Sequence, residues 1–261
     1  MLDNALKSMT GHIQIQAPEY RDDPMVDHHL AGTPEILAEL ETILGPQARW
    51  TERVQLFGVV SNARHSNGVT IVGIDPEREP GLSFYGEAFA QGGPLEAGDD
   101  FGIIIGQALA DTFDTELKRK LVLMSQHVDS TMASRAFRIR GTFRSEMEAT
   151  EKQFVFITLD AARDMLGLGQ EATNIAIQLP SRDAINATVE QLQQALPQGA
   201  NAYSWHDLLP MLSSYLQIFD SFLYLWYGVT FVAMALGITN TTLMAVLERI
   251  REFGLLKALG M

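Results

Sequence analysis

The residues best suited to metal or proton chemistry are six histidines, His12, His28, His29, His65, His127 and His206, in a chain with no cysteine. Without cysteine there is no disulfide scaffold, no thiolate zinc site and no cysteine nucleophile. Asp27-His28-His29, next to Asp22-Asp23, carries donors for a metal, but no pair stands four apart on a helix. A solvated loop accounts for it. Gly81-Leu82-Ser83-Phe84-Tyr85-Gly86 has the wrong spacing for a nucleophile elbow and no assignable triad partners. Gly167-Leu168-Gly169-Gln170-Glu171-Ala172 follows a helix rather than a strand, so it reads as a helix stop and not a dinucleotide loop. No Gly-x-x-x-x-Gly-Lys-Ser/Thr run is present, so nucleotide hydrolysis by this chain alone is not expected. Glu146, Glu148 and Glu151 read as a solvated charged turn. No catalytic residue, cofactor or metal ligand is assigned.

The organising stretch lies elsewhere. Ser221 to Leu247 contains no charged residue and exceeds the roughly 20 apolar residues that cross a bilayer. Leu225 to Val246, at about 1.5 Å per residue, spans on the order of 33 Å. Tyr215, Phe219, Phe222, Tyr224, Trp226 and Tyr227 crowd its upstream end as an interfacial aromatic belt. Gly228, Ala233, Gly237 and Asn240 are the candidates for packing against another membrane helix, because small residues allow close approach and an amide in lipid needs a partner. Ordinary tolerance of threonine explains Thr239, Thr241 and Thr242 equally well.

The flanks give an orientation. Asp183 to Asp220 has no Lys or Arg, whereas Arg249, Arg251 and Lys257 follow the span. The positive-inside rule puts the C-terminal end in the cytoplasm and residues 1 to about 215 outside. An external domain of that size needs an export signal, and MLDNALKSMTG is not one. The expectation is a fragment whose upstream span has been removed; a reverse signal anchor is the alternative.

Formal net charge is −13. The segment from Glu248 onward carries +1, which leaves −14 for residues 1–247. An acidic domain of this kind is repelled by nucleic acid and by anionic headgroups, so neither is expected as a partner.

Periodicity places the other elements. His12 to Gln16 alternates as a strand, Ala17 to Gly32 reads as a loop, and Thr33 caps a helix to about Leu44 with Pro34 in its first turn. Two strands, Arg49 to Val60 and Val69 to Ile74, are joined by a turn ending in Asn67-Gly68. A Gly/Pro/Glu-rich passage runs from Asp75 to Asp100. Strands are expected at 103–106, 121–124, 136–143, 154–157, 174–179 and 200–203. Short helices are expected at 107–113, 158–166 and 182–196, with Ser125 to Ser134 a polar connection. Ser204 and Asp207 form a capping-box-like start to a helix that runs on into the span, with Pro210 tolerated early. The domains so read are residues 1–11, the end of an upstream transmembrane helix; 12–204, an external core with an inserted subdomain at about 76–150; 205–247, a helix into the membrane; and 248–261, a cytoplasmic segment. The fold class is α+β.

That last segment is the sharpest signal. Ile250, Phe253, Leu256 and Leu259 recur at helical spacing among Glu248, Arg251, Glu252 and Lys257, while Gly254 can bend the helix and Gly260 can end it. A juxtamembrane anchor is the plain reading. Glu248-Arg249-Ile250-Arg251-Glu252-Phe253-Gly254-Leu255-Leu256-Lys257-Ala258-Leu259-Gly260 closely resembles the E-R-x-R-E-[IF]-G-[IL]-x-[KR]-A-[LI]-G signature of ABC transporter permeases of the MacB/LolC/LolE/FtsX type. Gly11-His12-Ile13-Gln14-Ile15 resembles that family's first external strand. Ile104-Ile105-Gly106 with Leu109-Ala110, and Phe137-Arg138-Ile139-Arg140-Gly141, resemble its external landmarks. Glu116 to Leu123 departs from it, lacking the usual Gly-Asp.

The resemblance implies a MacB-like periplasmic core domain of two subdomains, a split β-α-β unit and a mostly β insertion, carried on an inner-membrane chain of four spans. It implies a non-catalytic subunit coupled to an ABC ATPase through Glu248, Arg249, Arg251, Glu252, Phe253, Gly254, Leu256, Lys257 and Gly260. Further implied partners are a second permease subunit, as homo- or heterodimer, and a lipoprotein or periplasmic chaperone. Lipoprotein release toward an outer membrane is the favoured role. Efflux of small molecules or peptides, an FtsX-like scaffold that activates a cell-wall hydrolase, and a membrane-anchored receptor are the alternatives.

Overall fold

The computed structural model describes residues 9–45, 47–86, 89–258 and 260. The incoming helix expected before Met9 falls on residues outside that description. Along the chain, β1 (Ile13–Gln16) leads to α1 (Thr33–Ile43), the long pair β2 (Arg49–Ser61) and β3 (Ser66–Ile74), β4 (Phe89–Gly92), β5 (Gly102–Gly106) and α2 (Gln107–Thr112). Then come β6 (Lys120–Gln126), β7 (Met132–Phe143), α3 (Glu148–Gln153), β8 (Phe154–Thr158), α4 (Leu159–Leu166) and β9 (Asn174–Gln178). The chain ends with α5 (Ile185–Ala195), β10 (Asn201–Ser204), α6 (Trp205–Leu208) and α7 (Pro210–Ala258). Residues 1–208 and 209–261 form two separate compact units.

The described strands make one mixed sheet of order β10-β1-β9-β2-β3-β8-β5-β7-β4, and β6 pairs with both β2 and β7. That last pairing closes a circuit through β2, β3, β8, β5, β7 and β6, while β10, β1 and β9 continue from β2 as an open arm. Val54, Leu56, Ile71, Ile103, Ile105, Phe137, Val155 and Ile157 turn inward in the circuit. Leu159, Ala162 and Leu166 of α4 and Leu109 and Phe113 around α2 belong to the same core. Each fully buried Leu, Ile or Phe contributes about 1.5–3 kcal/mol by leaving water, which makes this cluster the main source of stability. A second cluster of rings, Phe84, Tyr85, Phe143 and Phe156, meets at centroid separations of 5.3–5.6 Å. The stretch from β4 to β7, expected as an insertion, is tied to the flanking chain by β5–β8 and β2–β6 pairing.

Several local expectations are corrected. The β2–β3 turn is Asn62 to His65, with Asn62 Oδ1 accepting from the Arg64 and His65 amides; Asn67 and Gly68 lie inside β3. Gly32, in the left-handed region, is the N-cap of α1. The Thr33 hydroxyl instead donates to the Leu30 carbonyl and accepts from the Ala172 amide. The 17–32 loop contains two short 3-10 turns, and β4 arises within the Gly/Pro-rich passage. Half of the expected 125–134 connection is strand, because β6 and β7 pair from Lys120↔Arg138 to Gln126↔Met132, and only 127–131 form the turn. Where the usual Gly-Asp is missing, Asp114 and Lys118 themselves take positive φ, of 46° and 67°. The expected charged turn at Glu146 to Glu151 is partly helix, and Glu151 is buried: its carboxylate accepts from the Ser145 and Ala108 amides at 2.9 Å each. Gly106 explains why that works, since a Cβ there would lie 2.0 Å from the Glu151 carbonyl oxygen.

The helix expected to run unbroken from Ser204 into the span is interrupted at Leu209. Proline disfavours the helical region for its predecessor and has no N–H to donate, so α6 stops and α7 restarts at Pro210. Beyond the span the expected bend at Gly254 is not seen; α7 stays helical to Ala258.

Candidate functional site

The candidate site is the pair of junctions where the chain enters and leaves the β/α unit. On the incoming side, Met9 and Gly11 have φ of 76° and 68°. A non-glycine residue held there needs fixing by its surroundings. Arg53 supplies much of that. Its Nε and Nη2 grip Glu79 Oε2 and Oε1 at 3.0 and 2.7 Å, and its Nη1 donates to the Met9 carbonyl. Gln14 Nε2 donates to the same carbonyl at 3.0 Å. Arg53 and Glu79 side chains are both 0% exposed, and Ser83 also donates to Glu79. A bidentate pair with its remaining polar atoms occupied is the arrangement in which a buried charge pair is tolerated.

His12 joins the incoming strand to both neighbours. Its amide donates to Ile177 O at 2.9 Å, its carbonyl accepts from Trp205 N at 3.1 Å, and its Nδ1 accepts from Leu179 N at 3.1 Å. Burial holds its pKa below the usual imidazole value of 6.5. The amide at Nδ1 likewise requires the neutral ring.

On the outgoing side, β1 lies between β9 and β10, antiparallel to both, with Ile13 opposite Ser204. The chain therefore enters and leaves the sheet on adjacent strands at the same end. Asp207 Oδ2 accepts from Ser204 N and Oγ at 3.0 and 2.6 Å, as the capping-box spacing implied. After Leu209, whose carbonyl accepts from Ser213 N at 3.0 Å, α7 begins. Within it Ser221–Ile250 is long and apolar enough to cross a membrane, with mean hydropathy 1.7 and no burial inside the chain.

At about 100° per residue, Ala233, Gly237 and Asn240 fall within about 60° of one another on α7, whereas Gly228 lies about 120–180° away and does not share their face. Thr239, Thr241 and Thr242 each donate to the carbonyl four residues back, at 2.8–2.9 Å. Their hydroxyls are thus satisfied within the helix, and Asn240 is the polar group for which a partner has to be sought. Glu248, Arg249, Gly254 and Gly260 are described, but nothing is described of the side chains of Arg251, Glu252, Phe253, Leu256 and Lys257, and Leu259 lies outside the described residues.

The residues first considered for chemistry are dispersed. His28 and His29 rings bond the Asp23 and Val26 carbonyls, His65 stacks on Phe113, His127 meets Asp129, and His206 stacks on Trp205. Among the described residues no three His, Cys, Asp or Glu side chains gather as a metal site. Gly167, with φ 73°, caps α4, the helix-stop role read from its spacing. The Arg53–Glu79 pair was missed. On β2 Arg53 alternates with Thr51 and Gln55 like a solvent-facing position, and its partner sits in an acidic loop 26 residues on.

Residues 2–195 match the family model described as MacB-like periplasmic core domain. An uncharacterized ABC transporter permease of Methanocaldococcus jannaschii is 24% identical over 172 residues, 64% of this chain and 41% of that protein. The chain thus spans less than half of that relative's length. The periplasmic region of MacB from Actinobacillus actinomycetemcomitans superposes with a TM-score of 0.53 at 11% identity, over 81% of this chain and 97% of that one. The extracellular domain of the noncanonic ABC-type transporter YknZ from Gram-positive bacteria gives 0.50 at 14%, over 74% and 100%. At these identities the likeness is one of fold.

Proposed function

Because the chain belongs to the MacB-like periplasmic core domain family, we propose that it is the permease part of an ABC transporter in which an ATPase, separate or fused, supplies the work and this chain transmits it. The segment Glu248–Gly260 is the part gripped by the ATPase in the cytoplasm. Helix α7 carries the displacement across the inner membrane to a β/α unit on the far side. Ala233, Gly237 and Asn240 face a second permease subunit. The cargo class, lipoprotein released toward an outer membrane, rests on the resemblance of the Gly11-His12-Ile13-Gln14 start.

The observation that carries this reading is the adjacency of β1 and β10. A domain held between two membrane spans must return its chain to where it entered, and antiparallel neighbouring terminal strands do so. Force applied along α7 then reaches the sheet through β10 and, by the Trp205–His12 bond, the incoming strand.

The test uses the full-length protein with its ATPase in proteoliposomes. Gly254→Pro, which removes an amide and kinks the helix, and the paired charge swap Arg251→Glu/Glu252→Arg should abolish release while ATP hydrolysis and assembly persist. Undiminished release in these variants contradicts the proposal.

A further inference from the structure

An antiparallel sheet face that meets water is ordinarily polar. The outer face of the β2–β6–β7 wall instead carries large apolar side chains among its polar ones. Phe57 is 64% exposed and Met132 76%, with Val59, also exposed, opposite Met124 on β6. These residues sit at one end of the wall. At the other, Lys120 and Arg138 are direct cross-strand partners. Like charges placed opposite each other destabilise a sheet, and among the described residues no carboxylate pairs with either. Their cationic neighbours differ: Arg140 meets Asp99 at 2.6 Å and Arg135 meets Asp164 at 2.7 Å. Lys120 and Arg138 line a depression of about 560 Å³ beside Phe101, which is 56% exposed. The chain thus gathers four cations around one carboxylate, Asp99, on the same wall as an uncovered apolar patch, although its net charge is −13.

We propose that this wall docks a separate protein, one whose apolar centre covers Phe57, Val59 and Met132 and whose carboxylates meet Lys120 and Arg138. Charge complementarity selects that occupant. Asp99, the carboxylate in the depression, is engaged by Arg140 at 2.6 Å, so a partner's carboxylates relieve the Lys120–Arg138 repulsion, and desolvation under a protein strengthens the pairing. A second copy docked wall to wall through a two-fold axis uses the same patch on both sides, which brings two cation-rich depressions together, each with its Asp99 already held by Arg140 at 2.6 Å. An anionic bilayer is an extended surface and brings the remaining acidic surface of the chain within a screening length of about 8–10 Å. This inference does not depend on coupling through Glu248–Gly260, so either can fail without the other.

The experiment is site-specific photocrosslinking in cells that make the full-length protein, with benzoyl-phenylalanine at position 57 and, as control, at exposed Met147. A discrete adduct with another protein is expected from position 57 and not from 147. Like-charge juxtaposition costs several kcal/mol, so K120E/R138E should lower the adduct yield more than roughly tenfold. Reversing the contacting carboxylates of the captured protein to lysine should restore it. If K120E/R138E lowers the unfolding temperature, K120Q/R138Q takes its place, and yield must then also fall on raising the salt. Adducts only with lipid or with a second copy, no adduct, or a yield indifferent to these charges overturns the proposal.

Discussion

Replacing Arg53 by methionine tests the incoming junction. The change keeps the side-chain length but leaves the Glu79 carboxylate, 0% exposed, without its guanidinium. Removing one partner of a buried pair costs about 3–5 kcal/mol, and loss of the Nη1 donor to Met9 O adds about 1 kcal/mol. For a unit of this size each kcal/mol moves the midpoint by about 2–4 °C. A fall of about 8–24 °C is therefore expected, read by near-ultraviolet circular dichroism on the detergent-solubilised chain. The paired variant Arg53→Met/Glu79→Met removes both charges and fills similar volume. It should recover most of that loss, since well-packed apolar replacements of buried pairs are neutral or stabilising. Amide exchange at Thr10 to Gln14 should nonetheless stay faster than in the parent, because the grip on Met9 is gone. A single variant costing under about 1 kcal/mol, or a paired variant as damaged as the single one, refutes the reasoning.

His12 gives a pH dependence. Its folded pKa lies below 6.5, so as pH falls past that value the unfolded chain takes a proton that the folded chain refuses. The stability it contributes is complete above pH 6.5 and is lost as pH falls toward the folded value. His12→Gln should flatten the dependence of the unfolding midpoint on pH below about 6.5, and an unchanged slope counts against the assignment. Glu151→Ala strands the Ala108 and Ser145 amides and should cost about 2–4 kcal/mol in urea unfolding. Glu148→Ala breaks only an exposed pair with Lys152 and should cost under about 0.5 kcal/mol. Asn240→Leu should weaken association between permease subunits in detergent, while Thr241→Val, whose parent hydroxyl bonds within its own helix, should leave it unchanged.

What was readable in the sequence follows from the range of the interaction that decides each feature. Ile103 to Ile105 and Phe154 to Ile157 are continuous apolar runs whose strand character local composition settles. Thr158 and Gly167 punctuate α4 by contacts within a few residues. The Ser221–Leu247 span depends only on its own apolarity. Glu151 reads like Glu146 and Glu148, and only the arrival of α2 makes it a buried acceptor. Arg53 and Glu79 likewise carry no local sign of burial. The interruption at Leu209 is signalled locally by the Pro210 that follows it, although the apolar run downstream favours one continuous helix. The closed circuit of strands depends on β6 reaching β2 across some 60 residues of chain, which no periodicity records. The apolar outer wall was invisible for the same reason: Phe57, Val59 and Met132 look like core until the register turns them outward.

The central claim is that the β/α unit and the segment after the span lie on opposite sides of one membrane. Residues 1–261 contain no cysteine, so single cysteines introduced at exposed positions, by Met147→Cys and Leu255→Cys, can be probed in the full-length protein with a membrane-impermeant thiol reagent. Once the outer barrier is breached, the thiol introduced at position 147 should label in intact cells, and the one at position 255 only after the inner membrane is permeabilised. Labelling of both from the same side contradicts the account.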